Sequence, residues 1–297
     1  MNRTPGTKTN NPKSLMMFIS SMLIFGTIGI FRKNLLLPSA FIACVRGIFG
    51  GLFILAYSIV RRRTAAKKLP GRILLQLIFS GAVMGINWIL LFEAYNYTTV
   101  AVATLCYYMQ PTIVMLVSPM IFEEKLTGRK AVCALIAIAG MVLISGVADG
   151  GNAQTGDPKG IFLGLGAAVC YSVVVIMNKR IEGIDAYQKT IIQLLSAGIA
   201  MIPYLLATGG FDGIRLDAGS IGILAVIGLV HTGIAYVLYF GSIDGMRAQS
   251  IAIFSYTDPV SALLFSALLL REPLSVSGVI GAVMIIGSAI ASEAKAA

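Results

Sequence analysis

Residues 108–126 read YMQPTIVMLVSPMIFEEKL, and residues 256–274 read YTDPVSALLFSALLLREPL. Sliding the chain along itself by 148 residues superposes the two without a gap. Tyr108 falls on Tyr256, Pro111 on Pro259, Ser118 on Ser266, Glu124 on Glu272 and Leu126 on Leu274. Phe92 meets Phe240 and Leu116 meets Leu264 in the same alignment, while a shift of 147 brings Arg32-Lys33 onto Lys179-Arg180. The pattern Tyr-x2-Pro-x12-Glu-x-Leu thus occurs twice, and the chain reads as two related halves.

Around these stretches the chain is too apolar for a water-facing surface. Of its 297 residues 57% are hydrophobic and 12% charged, and the mean hydropathy is +0.85. A typical soluble domain carries about 25% charged residues. Apolar windows predict spans near 15–31, 39–60, 73–95, 99–122 and 131–147, then near 160–177, 188–207, 221–242, 250–270 and 276–291. Hydrocarbon admits only helices or closed barrels, and long continuous apolar runs argue for helices over alternating barrel strands. The expected fold is an all-α integral membrane protein of ten transmembrane helices. Residues 1–147 form one five-helix repeat, 148–159 a polar, Gly-rich extracytoplasmic linker, and 160–297 the second repeat. Five is odd, so the second copy enters the membrane from the opposite side, giving an inverted repeat of the kind many secondary transporters use.

The net charge of +10 lies in short clusters between apolar segments, such as Arg61-Arg62-Arg63, and reads as a membrane-orientation signal without a nucleic-acid partner. With the N-terminus in the cytoplasm, 17 Lys and Arg fall on the cytoplasmic side and five on the other, with Arg46 inside the second span. Both termini are therefore expected in the cytoplasm, with the chain crossing the cytoplasmic (inner) membrane several times. Arg3, Lys8 and Lys13 precede the first apolar run as in a signal peptide, but Arg32-Lys33 follows it where a cleavage site would need small residues, so the segment is read as a span. Cys44, Cys106, Cys133 and Cys170 all sit in apolar segments without paired spacing, consistent with packing residues and with no metal site.

Ionisable groups deep in a membrane cost several kcal/mol unless paired or wetted, so each is a candidate for function. Asp258 precedes Pro259 in the ninth span, and the missing N–H of that proline frees the carbonyl of Ser255; together they could hold a proton, an ammonium group or Na⁺, or the Asp could shape a kink. The same position in the first half is Gln110, beside Pro111. His231, the only histidine, sits in the eighth span near Thr232, Tyr236 and Tyr239, as part of a polar, aromatic wall for substrate or proton traffic or as a neutral His bonded to a hydroxyl. Arg46 is a partner for Asp258 or another acid, a site for a substrate carboxylate, or half of a structural ion pair. Glu93 is one possible partner, although its apolar helical face favours snorkelling to the interface. Trp88 with Asn87, and Tyr107, Tyr108 and Tyr256 beside the prolines, could cage a cationic or ring-bearing solute or pack a core; Tyr95 and Tyr97 sit at a span end, as interfacial anchors do. Glu124 and Glu272 end spans and suggest helix capping or gate pairing. Three Gly-x3-Gly pairs, beginning at Gly47, Gly81 and Gly160, allow close helix approach.

The duplicated Pro-x12-Glu-x-Leu hairpins, the Arg in the second span and the run Phe-x-Ala-Tyr-x-Tyr-Thr-Thr-Val-Ala from Phe92 to Ala101 resemble the ten-helix, EamA-type members of the drug/metabolite transporter superfamily. The resemblance covers nearly the whole chain. It implies a central cavity lined by the first four helices of each half, with the fifth of each peripheral. It also implies efflux of amino acids or other metabolites, with nucleotide-sugar and choline carriers as relatives.

The leading expectation is a secondary-active transporter of a small organic solute, an amino acid or related metabolite moved outward by alternating access, with a proton as a candidate coupling ion. Import or exchange of an organic cation such as a quaternary amine is the alternative. A membrane enzyme would need a convergent catalytic set that one His and scattered Cys do not offer, and a channel would usually need a symmetric oligomer. No Walker A sequence is present, no cofactor is implied, and the chain is expected as a monomer or homodimer in the lipid bilayer.

Overall fold

The computed structural model describes residues 11–61, 69–122, 127–144, 157–181, 183–243, 245–246 and 248–293. These form helices throughout, without a β-strand among the described residues. The first half contains α1 (Pro12–Lys33), α2 (Ser39–Val60), α3 (Gly71–Tyr97), α4 (Val100–Tyr107), α5 (Gln110–Phe122) and α6 (Gly128–Ile144). The second contains α7 (Pro158–Arg180), α8 (Ala186–Ala207), α9 (Ala218–Ala225), a π-helical segment (Val226–Ile234), α10 (Ala235–Ile243), α11 (Ala248–Ser255), α12 (Thr257–Leu269) and α13 (Val276–Glu293). Seven helical stretches among the described residues are long and apolar enough to cross a membrane, and 257–269 and 276–292 are shorter apolar helices. Most of the linker, and Glu124 with it, lies outside the described residues.

Side-chain caps set several helix starts. Asn11 accepts from the N–H of Lys13, Thr99 from Val102, Asp157 from Lys159, Asp185 from Gln188 and Asp217 from Ser220, at 2.8–3.1 Å. The Ser220 hydroxyl and backbone N–H hold the exposed Asp217 carboxyl below its ordinary range.

Two expected spans are not continuous. The fourth divides between α4 and α5 and the ninth between α11 and α12, with Tyr108 and Tyr256, matched in the internal repeat, at the breaks. Pro111 has no N–H to offer the carbonyl of Tyr107, nor Pro259 that of Ser255, so the α-helical ladder lapses one turn before each proline. The expected eighth span is helical but changes register to i→i+5 in its middle.

Packing follows an exchange of halves. α2 packs on α8 and α6 on α13, each pair mapping onto itself when the halves are swapped. α3 packs on α7 as α10 packs on α1, and α4 and α5 meet α7 as α11 and α12 meet α1. At the central crossing a Cβ on Gly47 would lie 2.7 Å from both the Gly198 amide nitrogen and the Leu194 carbonyl oxygen. Only glycine lets these two backbones meet, in keeping with the first Gly-x3-Gly pair.

Candidate functional site

A cavity of about 630 Å³ lies between the halves, within the range of small-molecule sites. Its walls come from α1 to α5 and from α7, α8, α10, α11 and α12, while α6 and α13 contribute nothing to it. It reaches Asn178, Ile184 and Lys189, where α7 ends and α8 begins. There Lys189 Nζ donates to the carbonyls of Asn178 and Ile181.

The opposite end is shut by two polar networks. Lys33 Nζ lies 2.5 Å from a Glu272 oxygen, and the other oxygen accepts from the Val100 N–H at 2.8 Å and from the Ser266 hydroxyl. One carboxylate thus joins the end of α1, the start of α4 and the end of α12. Arg271, in left-handed conformation at φ 54°, turns the chain so that the Glu272 N–H returns to the Ser266 carbonyl. Beside it, buried Arg32 donates to the Leu35 carbonyl, Ser39 and Asn96, and both Ser39 and Asn96 donate to Glu93. Glu93 is thus bound within this network and makes no ion pair with Arg46.

Asp258 lines the cavity in the first turn of α12, and its carboxylate accepts from the Tyr108 hydroxyl at 2.6 Å. A residue at one helix break thereby bonds the acid beside the other break, across the two halves. Gln110, Pro111 and Tyr256 also face the cavity. Tyr108 and Tyr256 have ring centroids 6.4 Å apart.

Arg46 reaches the same cavity from α2. Its Nε donates to Thr232 Oγ1 at 2.9 Å, and its guanidinium lies over the Trp88 ring at 4.3 Å and the Phe92 ring at 5.7 Å. Among the described residues the ion pair is Lys33 with Glu272, so Arg46 is not half of a structural ion pair with Asp258 or any other described acid. Trp88 lines the cavity, but the protein's own cation occupies its face, where a substrate cation had been a candidate.

Tyr236 and Tyr239 face the cavity from α10. His231 does not: it is 1% exposed, with Nε2 2.9 Å from Thr27 Oγ1 and Nδ1 3.2 Å from the Val226 carbonyl. Asn87 also lies away from it, donating to the Ala167 carbonyl at 2.6 Å with its oxygen unpartnered. Pro259 is buried in α12, and Glu272 is at the shut end.

Sequence reasoning missed several lining residues. Tyr95, read as an interfacial anchor, is 3% exposed and faces the cavity, its hydroxyl 3.4 Å from that of Thr104. A span-end position gave the wrong depth because α3 continues beyond Tyr95 to Tyr97. Gln193 lines the wall and donates to Ser80 and Asn178; an amide inside an apolar span was the available signal. Tyr171 stacks on Tyr107 at 5.4 Å and carried no sequence signal beyond being aromatic.

Residues 12–146 and 158–292 each match the EamA-like transporter family, once per half. The chain belongs to the EamA-like transporter family. Similar proteins include the Bacillus subtilis uncharacterized transporter YxxF, 28% identical over 84% of this chain and 80% of its own length, and a Clostridium kluyveri uncharacterized transporter, 29% identical over 82% and 80%. A solved crystal structure shares the fold with a TM-score of 0.66, covering 94% of this chain and 96% of that one at 19% identity. As an EamA-like transporter the chain is a multi-pass membrane protein.

Proposed function

We propose that this EamA-like chain is a secondary transporter that exports a small zwitterionic metabolite, of the amino-acid class, by alternating access across the cytoplasmic membrane. The observation that carries the reading is that Asp258 and Arg46 face one aromatic-walled cavity without forming an ion pair with each other. Leaving an acid and a base apart inside a membrane is costly. A solute with an ammonium at Asp258 and a carboxylate at Arg46 offsets that cost. An organic cation alone would satisfy Asp258 and leave Arg46 facing the same space.

The reading includes ten spans in two inverted fives. Its support is the duplicated break at Tyr108 and Tyr256 and the hydrogen bonds at helix ends. The Glu272 carboxylate bridges Lys33, ending α1, and Val100, starting α4, while Asp157, capping the start of α7, donates its N–H to the Tyr97 carbonyl, at the end of α3. The first helix of one half thus ends at the membrane face where the first helix of the other begins. On the expected orientation the cavity opens to the cytoplasm, and the Glu272 end is extracytoplasmic.

Transport in proteoliposomes across a panel of amino acids and their decarboxylated amines, with and without a pH gradient, tests this. Asp258→Asn should slow transport at least about tenfold, the factor given by 1.4 kcal/mol. Transport of the amines alone would transfer the assignment to an organic cation. Wild-type rates in Asp258→Asn would refute the role of the acid.

A further inference from the structure

We propose that Thr232, in the π-helical segment, is the positioning residue that aims the Arg46 guanidinium and so sets the cavity's preference for solutes that carry a carboxylate. This rests on the zwitterion reading of the same cavity.

Thr232 is 0% exposed and touches no solute space; it acts through Arg46. Its hydroxyl has one proton, given to the Ile227 carbonyl five residues back at 3.0 Å. The oxygen lone pairs are left to accept from Arg46 Nε at 2.9 Å. The direction of both bonds is therefore fixed by the π register, which supplies the i−5 carbonyl. Approach of the two elements requires Gly50 on α2, where a Cβ would meet the Thr232 side chain, with Thr232 Cβ at 2.7 Å. With Nε tethered on one side and Trp88 beneath the plane at 4.3 Å, the guanidinium has little rotational freedom. Arg46 lines the cavity. A planar fork held in this way suits bidentate binding of a carboxylate. If the tether is lost, the charge stays near the cavity but the fork loses its aim.

A merely structural Thr would affect all solutes alike, whereas a positioning Thr affects only those with a carboxylate. The test compares L-leucine with isoamylamine and L-phenylalanine with phenethylamine as competing solutes against purified, reconstituted full-length protein. Wild type should prefer each amino acid over its amine by at least about tenfold. Thr232→Val, which keeps the shape and removes the hydroxyl, should bring that ratio to within about twofold of the value in Arg46→Gln, with amine affinity unchanged. Thr232→Ser should keep the wild-type ratio. If Thr232→Val does not fold, Thr232→Ala is read in the same way. A wild-type ratio in the folded hydroxyl-free variant, with loss of preference in Arg46→Gln, overturns the role of Thr232 and leaves the zwitterion reading standing. Absence of any preference in wild type overturns both.

Discussion

Replacing Glu272 with Gln should open the shut end of the cavity. The substitution keeps an oxygen to accept from the Val100 N–H and removes the charge. Three losses follow from the observed contacts. The Lys33 pair, with side chains 31% and 9% exposed, is worth about 0.5 kcal/mol, as befits a partly solvated pair. Turning a charged acceptor for the Val100 amide into a neutral one costs about 1 kcal/mol. Removing a carboxylate from the start of α4 costs about another 0.5 kcal/mol of helix-dipole interaction. Together these come to about 2 kcal/mol, which shifts the ratio of open to shut at that end about 30-fold.

Spin labels at Leu36, 98% exposed between α1 and α2, and at Leu274, 37% exposed after α12, report on the two sides of this closure. The four native cysteines are first replaced. Glu272→Gln should add a longer-distance population in pulsed dipolar spectra, and Lys33→Met a smaller one. The Lys33 contribution should shrink as salt rises, because that side chain is partly solvated. Wild-type distance distributions in Glu272→Gln and in Glu272→Ala alike would show that this carboxylate does not hold the end shut.

Three further outcomes are expected. Trp88→Leu removes the ring beneath Arg46 and should weaken amino-acid binding by about fivefold, the worth of a 1 kcal/mol cation–π contact, measured by competition with the amines as controls. Gly47→Ala forces a Cβ against the α8 backbone and should cost about 1–3 kcal/mol, read as a lowered unfolding midpoint in detergent. Gly287→Ala, in α13 with nothing within 4 Å of its added Cβ, should instead leave the midpoint unchanged or raise it by the equivalent of up to about 1 kcal/mol.

Legibility in the sequence tracked what is local. Hydropathy located the helices because each apolar run must satisfy its own backbone, and the duplicated Tyr-x2-Pro marked both breaks because a proline's missing N–H acts within one turn. The π segment escaped because a shift from i→i+4 to i→i+5 leaves composition unchanged. At the site, Asp258, Arg46, Trp88 and Tyr108 were visible as polar or aromatic groups at membrane depth, and the structure brings all four to one cavity. Their partners were not visible. Arg46 meets Thr232 across 186 positions of chain and Tyr108 meets Asp258 across 150, and no single sequence records such pairings. His231 shows the converse: rarity made it a candidate, but its partners Thr27 and Val226 hold it outside the cavity wall.

The two halves supply equivalent positions with unequal charge. The shift of 148 maps Asp258 onto Gln110, and the shift of 147 maps Arg46 onto Gln193; all four line the cavity. Gln193 even repeats the tether, donating to the Ser80 hydroxyl on α3 as Arg46 does to Thr232, though Ser80 lies about one helical turn from strict register. The charged pair thus occupies one set of matched positions and the two neutral amides the other. On the proposed zwitterion reading, a solute meets the charged pair in one orientation only. Arg46→Gln combined with Asp258→Gln should therefore abolish the preference for amino acids over amines while leaving a folded protein, since both amides already occupy the equivalent environments. Adding Gln193→Arg and Gln110→Asp to that background moves the charges to the other set of matched positions. Partial return of the preference, at least about threefold over the double variant in the same competition assay, is the expected result. A return is limited to part because Ser80 is out of register with Thr232 and Trp88 is matched, at the shift of 148, by Tyr236, a weaker cation–π partner. No return in a folded quadruple variant would mean that the equivalence of the halves is one of backbone alone, and that charge recognition depends on the particular surroundings of Arg46 and Asp258.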